Sequence, residues 1–194
     1  VLVGLIAEAL TKYAGGHSDI LLGAIILSDM ELYQRIRRTL SSLGVGVLPD
    51  ERSLALQGIQ TMGLRLRHVG EISEEFAHRL AESCSFAVLH PCLSDFPGHT
   101  LWRLDFKGSS GVFSLRFDGV SAELVDRALD SLKTFAIGAF WGGTRSIVAP
   151  MVITNDRHVM PSSETATYLR LSVGLESVDH LWADLQRMLK VLQV

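Results

Sequence analysis

The sequence predicts an α/β chain made of the end of one sheet domain, a linking helix and a smaller α+β domain. Three observations predict it. Two apolar runs, Val1–Thr11 and Ile20–Leu27, open the chain on either side of a glycine-bearing loop. A stripe of apolar residues at helical spacing follows, through Ala55, Ile59, Met62, Leu66 and Val69. Beyond Gly98, alternating and helical patterns interleave on a shorter scale. The expected division is a sheet-domain remnant over residues 1–60 and an α+β domain over 61–194.

Val1–Thr11 is largely apolar and ends in Thr11-Lys12-Tyr13, which reads as a buried strand. Gly15 and Gly16 in the loop that follows let the backbone approach a neighbour closely. Ile20–Leu27, rich in Ile and Leu and bounded by Ser28-Asp29, reads as a second buried strand. Asp29 is placed to cap a helix with Tyr33, Ile36, Leu40 and Leu43 on one face and Arg35, Arg37 and Arg38 off it, ended by Gly44 and Gly46. After Pro49-Asp50 comes the long helix, then a further helix carrying Phe76 and Leu80. Ser85–His90 is a short strand closed by Pro91, with a loop through Gly98. Val112–Phe117 alternates as a strand, Ser121 caps a helix with Val125, Ala128, Leu129 and Leu132, and Thr134–Phe140 returns as a strand. An irregular stretch, Gly142–Ser163, precedes a last strand over Ala166–Val173 and a helix burying Leu181, Leu185, Met188, Leu189 and Leu192.

Composition excludes several functions. Hydrophobic residues make up 47% and charged residues 20% of the 194, so the chain buries a core. With 18 basic against 21 acidic residues it lacks the basic field of a non-specific nucleic-acid binder, and no such partner is expected. The apolar runs are shorter than the roughly 20 residues of a membrane-spanning helix, and no membrane partner is expected. Cys84 and Cys92 are too few for a disulfide scaffold, and the seven histidines include no helical i, i+4 pair to hold a metal. Reduced thiols and a cytoplasmic location are the expectation. The chain opens with Val, inside an apolar run, and is read as a piece of a longer protein whose isolated form exposes unpaired strand edges and lacks activity.

Of the lysines, Lys12, Lys107, Lys133 and Lys190, only Lys12 sits between an apolar strand and a glycine loop. A lysine kept from water loses part of its preference for charge, and a neutral amine condenses with carbonyls. Spacing alone favours the plainer reading, a strand-end lysine whose ammonium reaches water. Arg170 falls on the alternating strand face of Tyr168 and Ser172, opposite Leu169, Leu171 and Val173, and an arginine there needs an anionic partner.

The run Thr11-Lys12-Tyr13, Gly15-Gly16-His17-Ser18-Asp19 and Gly23 is similar to the cofactor-lysine segment of the Cys/Met metabolism family of pyridoxal-phosphate enzymes. The likeness continues through Gly63–Arg67, His90-Pro91, Pro97–His99, Leu101-Trp102, Asp105–Gly111, Phe113-Ser114, Trp141–Gly143 and Arg170–Glu176, and covers nearly the whole chain. It implies the carboxyl-terminal part of a fold-type I transferase: the end of the large cofactor domain plus the small α+β domain. The Asp105–Gly111 run and Trp141 resemble the bacterial cystathionine β-lyase branch more than the γ-synthase or γ-lyase branches.

The resemblance implies that Lys12 is the Schiff-base lysine for pyridoxal 5'-phosphate and the later base at the substrate α-carbon. It also implies that Thr11 contacts the phosphate, Arg170 grips the substrate carboxylate and Trp141 lines the substrate side. The implied substrate is a small sulfur amino acid, and the implied assembly a dimer of dimers. The acid that pairs with the pyridine nitrogen is expected upstream of this chain. Three positions depart from the family: Ala9 replaces a hydroxyl, Phe140 a serine and Arg145 a glutamate. An inert fragment or pairing module of the same fold, and a relative acting on another sulfur amino acid such as cysteine, are the competing readings.

Overall fold

The computed structural model describes residues 4–83, 85–152 and 166–192, and the chain divides into two compact units, Val1–Gly63 and Leu64–Val194. Val1–Val3, Cys84 and residues 153–163 of the expected irregular stretch lie outside the described residues.

In the first unit, β1 (Leu5–Ala9) and β2 (Gly23–Leu27) pair antiparallel, with Leu5 opposite Leu27 and Ala9 opposite Gly23. The strands are real, but the expectation that they are buried is corrected: every residue of β1 is exposed, and Ile25 and Ile26 keep 47% and 55% of their surface. A continuous apolar run suits a strand covered on both faces. This unit has only two short strands and a helix, α1 (Met30–Ser42), that buries none of its own residues. The helix ends follow the capping chemistry. Asp29 Oδ1 accepts the Leu32 N–H at 2.9 Å, and Gly44, at φ +67°, reverses the chain.

The expected pair of helices after Pro49 is one, α2 (Pro49–Ser83). Gly70 falls where the break was expected, and mid-helix glycine costs about 1 kcal/mol. Here it has a compensating use, because a Cβ at this position would meet the Ser109 carbonyl oxygen at 2.5 Å.

The second unit is a five-stranded sheet. Its order is β3 (Ala87–Leu89), β4 (Val112–Asp118), β7 (Ala166–Ser172), β6 (Ile147–Val152) and β5 (Ala136–Ile137). The ladders are antiparallel except β5–β6. Alternation on β4 and β7 sends Phe113, Leu115, Phe117, Leu169 and Leu171 into the core. The core also takes Phe76 and Leu80 of α2, Val125 and Leu129 of α4 (Ala122–Asp130), and Leu181, Leu185 and Met188 of α5 (Val178–Leu192). Ser121 caps α4 as expected, its Oγ accepting the Leu124 N–H at 3.3 Å.

Three elements differ from expectation, and two of the differences have a visible physical reason. The strand expected over Thr134–Phe140 shrinks to β5, because Asp184 accepts the N–H groups of Lys133, Thr134 and Phe135 and so takes them out of any ladder. A short helix, α3 (His99–Asp105), occupies part of the stretch between Gly98 and Val112. Strand β6 lies inside the stretch expected to be irregular, despite Pro150. The Val148 carbonyl accepts from Gly138 on the β5 side. Two residues on, Pro150 therefore faces the same side, past the end of β5, and its missing N–H breaks no ladder bond.

Candidate active site

Lys12 lies in a tight turn just past β1 and is half-buried. The turn is closed by Gly15 N–H on the Leu10 carbonyl and Gly16 N–H on the Lys12 carbonyl, both at 2.7 Å. Gly16 takes φ +75°, a conformation that side chains resist. Against this turn packs Gly58 of α2, where a Cβ would run into the carbonyl oxygens of Ala14 and Gly15. His17 adds a bond from Nδ1 to the Gly15 carbonyl at 2.8 Å, which fixes that ring nitrogen as the protonated one. Lys12 is therefore set by a turn wedged on a helix, and not by the end of a strand.

Thr11 is buried, and its hydroxyl crosses to the chain leading into β2. Oγ1 accepts the Leu22 N–H at 3.0 Å and donates to the Leu22 carbonyl at 3.3 Å. The second bond is long, and it uses the hydroxyl hydrogen that a phosphate oxygen would need. A groove of about 1100 Å³ is lined by Thr11, β1, β2, α1 and residues 45–52; Lys12 does not line it.

Arg170 and Trp141 belong to the second unit. Arg170 projects from β7 on the face expected, with Leu169, Leu171 and Val173 fully buried on the other. Its Nη2 donates to the carbonyls of Ala139 and Phe140, the two residues before Trp141. Its Nε is buried and has no hydrogen-bond partner among the described residues. Trp141 is half-buried and is followed by Gly142 at φ +80°. The Gly142 N–H donates to Ser172 Oγ at 3.3 Å.

Beyond this turn the chain is pinned to the end of β7. Ser146 donates its N–H and Oγ–H to the two carboxylate oxygens of Glu176 at 2.8 and 2.7 Å, and its Oγ accepts the Gly174 N–H at 2.7 Å. Arg145 is exposed. Sequence reasoning missed Gly58 against the Lys12 turn in the first unit and, in the second, Ser172 and this Ser146–Glu176 clasp around the Trp141 turn. A glycine inside an apolar helical stripe and a serine two residues from a strand arginine were the available signals.

Other motifs of the sequence serve packing. His90 is 1% exposed, and its Nδ1 accepts the Cys92 N–H at 3.0 Å, so the ring hydrogen sits on Nε2, facing Ser73 Oγ at 3.4 Å. Ser73 Oγ lies 2.7 Å from the Ser110 carbonyl and clamps the 108–111 loop to α2. Burial depresses the His90 pKa to about 4, with Glu74 opposing and His78 assisting. Burial likewise pushes the Cys92 thiol up to about 11, which leaves it protonated and unreactive at neutral pH. Among the described residues no cluster of His, Cys, Asp and Glu is arranged to hold a metal, and no helix is long and apolar enough to cross a membrane.

Residues 3–190 match the family described as Cys/Met metabolism PLP-dependent enzyme. A cystathionine beta-lyase of Bordetella avium is 36% identical over 185 residues, which cover 92% of this chain and 46% of that protein. An L-alanine/L-glutamate racemase of Wolbachia pipientis wMel is 35% identical over 184 residues, 93% of this chain and 45% of that one. The crystal structure of cystathionine gamma synthase from Xanthomonas oryzae pv. oryzae, in complex with aminoacrylate and cysteine, superposes with a TM-score of 0.84 at 29% identity, over 98% of this chain and 50% of that chain. The chain thus spans about half the length of the curated relatives it matches.

Proposed function

We propose a specific reaction for this chain, which belongs to the family of Cys/Met metabolism PLP-dependent enzymes: cleavage of cystathionine, with water, to homocysteine, pyruvate and ammonia. The observation that carries the proposal is Arg170. A guanidinium whose Nε is buried without a partner costs free energy unless an anion meets it. A carboxylate is the natural occupant, held by charge-assisted hydrogen bonds of about 1.5–3 kcal/mol each.

The donor set fits pyridoxal phosphate. Half-buried Lys12 and buried Thr11 are consecutive residues at a glycine turn in the first unit, and supply an amine and a hydroxyl there. When bound, the cofactor supplies the electron sink for bond breaking at the substrate α-carbon. Lys12 Nζ would hold it, and as a free amine would take the proton from that carbon. Thr11 binds the phosphate by turning its hydroxyl hydrogen away from the Leu22 carbonyl, while keeping the shorter bond from the Leu22 N–H. Arg170 fixes the substrate carboxylate, and Trp141 shields the same side from water. Association into a dimer of dimers and a cytoplasmic location belong to the same proposal.

A second reading, another amino-acid substrate at the same site, is favoured by Phe140, which precedes Trp141 in the chain where the resemblance leads one to expect a hydroxyl. The test starts from the chain incubated with pyridoxal phosphate. A visible absorbance band appears, and borohydride reduction fixes the cofactor on Lys12, as read by peptide mass spectrometry. Lys12→Ala abolishes both. Absence of the band, or a label elsewhere, would falsify the assignment and favour an inert pairing module. Pyruvate release from cystathionine compared with cysteine, measured on the full-length protein that carries this chain, then decides the substrate.

A further inference from the structure

Ser172 and Arg170 stand two residues apart on β7 and so share one face of the sheet. Between them they hold both sides of a single turn. Arg170 Nη2 takes the carbonyls of Ala139 and Phe140, and Ser172 Oγ takes the N–H of Gly142 at 3.3 Å. Trp141 lies between these anchors. Gly142, at φ +80°, sits in a conformation that only a glycine adopts without strain and that a glycine is also free to leave, so the bond from its N–H favours this shape of the turn.

Ser172 is 1% exposed, which leaves little access for water to replace its hydroxyl as acceptor. The core face of the strand, with Leu169, Leu171 and Val173 fully buried, points the other way. Removing Oγ therefore leaves the apolar face of the strand untouched and takes away the acceptor of the Gly142 N–H.

We infer that Ser172 is a positioning residue for carboxylate recognition. By holding Gly142 it fixes the 139–142 turn. The carbonyls of that turn hold Nη2 of Arg170 and so aim the guanidinium with Nε left for the substrate. The inference rests on the reading of Arg170 as the carboxylate grip, and it assigns to Ser172 a role in substrate affinity while leaving bond breaking to other groups.

The experiment compares Ser172→Ala, Ser172→Thr and Arg170→Ala in the full-length protein that carries this chain, loaded with pyridoxal phosphate, with L-cystathionine as probe. Readouts are kcat, KM, melting temperature and the exchange rate of the Gly142 amide hydrogen. Ser172→Ala is expected to raise KM roughly ten-fold with a much smaller fall in kcat, the signature of lost ground-state binding. It also speeds Gly142 exchange and leaves the melting temperature within about 2 °C, as expected when no core group is removed. Ser172→Thr, which keeps a hydroxyl, restores both KM and exchange. If Arg170→Ala raises KM while Ser172→Ala changes neither KM nor exchange, the positioning role is overturned and the carboxylate grip stands. If Arg170→Ala leaves KM unchanged, the grip itself is wrong and this inference falls with it.

Discussion

Asp184 is fully buried, and no sequence pattern marked it. Burial alone would hinder its ionisation. The N–H groups of Phe135, Thr134 and Lys133 and the Arg187 guanidinium outweigh that and bring its pKa below the ordinary 3.8. Replacing it with Ala leaves three backbone donors without their acceptor. The expected loss is about 3 kcal/mol or more, with a smaller loss for Asp184→Asn, which keeps one carbonyl oxygen; urea unfolding of the two variants measures it. Against this, Lys12 and Arg170 could be singled out from local settings that sequence records, a glycine loop and an alternating strand, while the roles proposed for them and for Trp141 came from the family resemblance. Asp184 could not be singled out, because the backbone N–H groups it accepts lie 49 to 51 positions away along the chain.

Among elements, α2 shows what periodicity can and cannot give. Its apolar stripe placed the helix, but not its continuity through Gly70, nor the reason for Gly58. Both glycines are contact points where backbone passes close to the helix, and closeness is invisible in a list of side chains. Gly58→Ala, which would raise intrinsic helix propensity by about 1 kcal/mol, is expected instead to displace the Lys12 turn. The measurable outcome is weakened pyridoxal-phosphate binding by at least roughly ten-fold in a spectroscopic titration, with the far-ultraviolet helix signal preserved. Affinity equal to that of the unmodified chain would show that the turn does not depend on the helix. Strand β6 escaped notice because Pro150 argues against a central strand, and only the shortness of β5 makes the proline tolerable.

For the whole molecule, acid stability follows from a buried neutral imidazole. A free histidine protonates near 6.5 and His90 only near 4, so between those values the unfolded chain holds a proton that the folded one does not. Stability is then full above pH 6.5 and falls as pH drops toward 4, at about 1.4 kcal/mol per unit. Asp184, with its lowered pKa, adds a further loss below 3.8. Thermal melts across that range, compared with His90→Asn, check the slope, which the variant should flatten. Fold class was legible at this scale, since periodicity separates strands from helices. Exposure in the first unit was not, because burial belongs to whatever covers a strand and leaves no mark of its own on the strand. The tie from Asp184 back to residues 133–135 also has a bearing on the order of events during synthesis. The crossover out of α4 cannot lock until the last helix has left the ribosome, so a nascent chain stalled before residue 184 should remain digestible by protease in this stretch even after β4 has emerged.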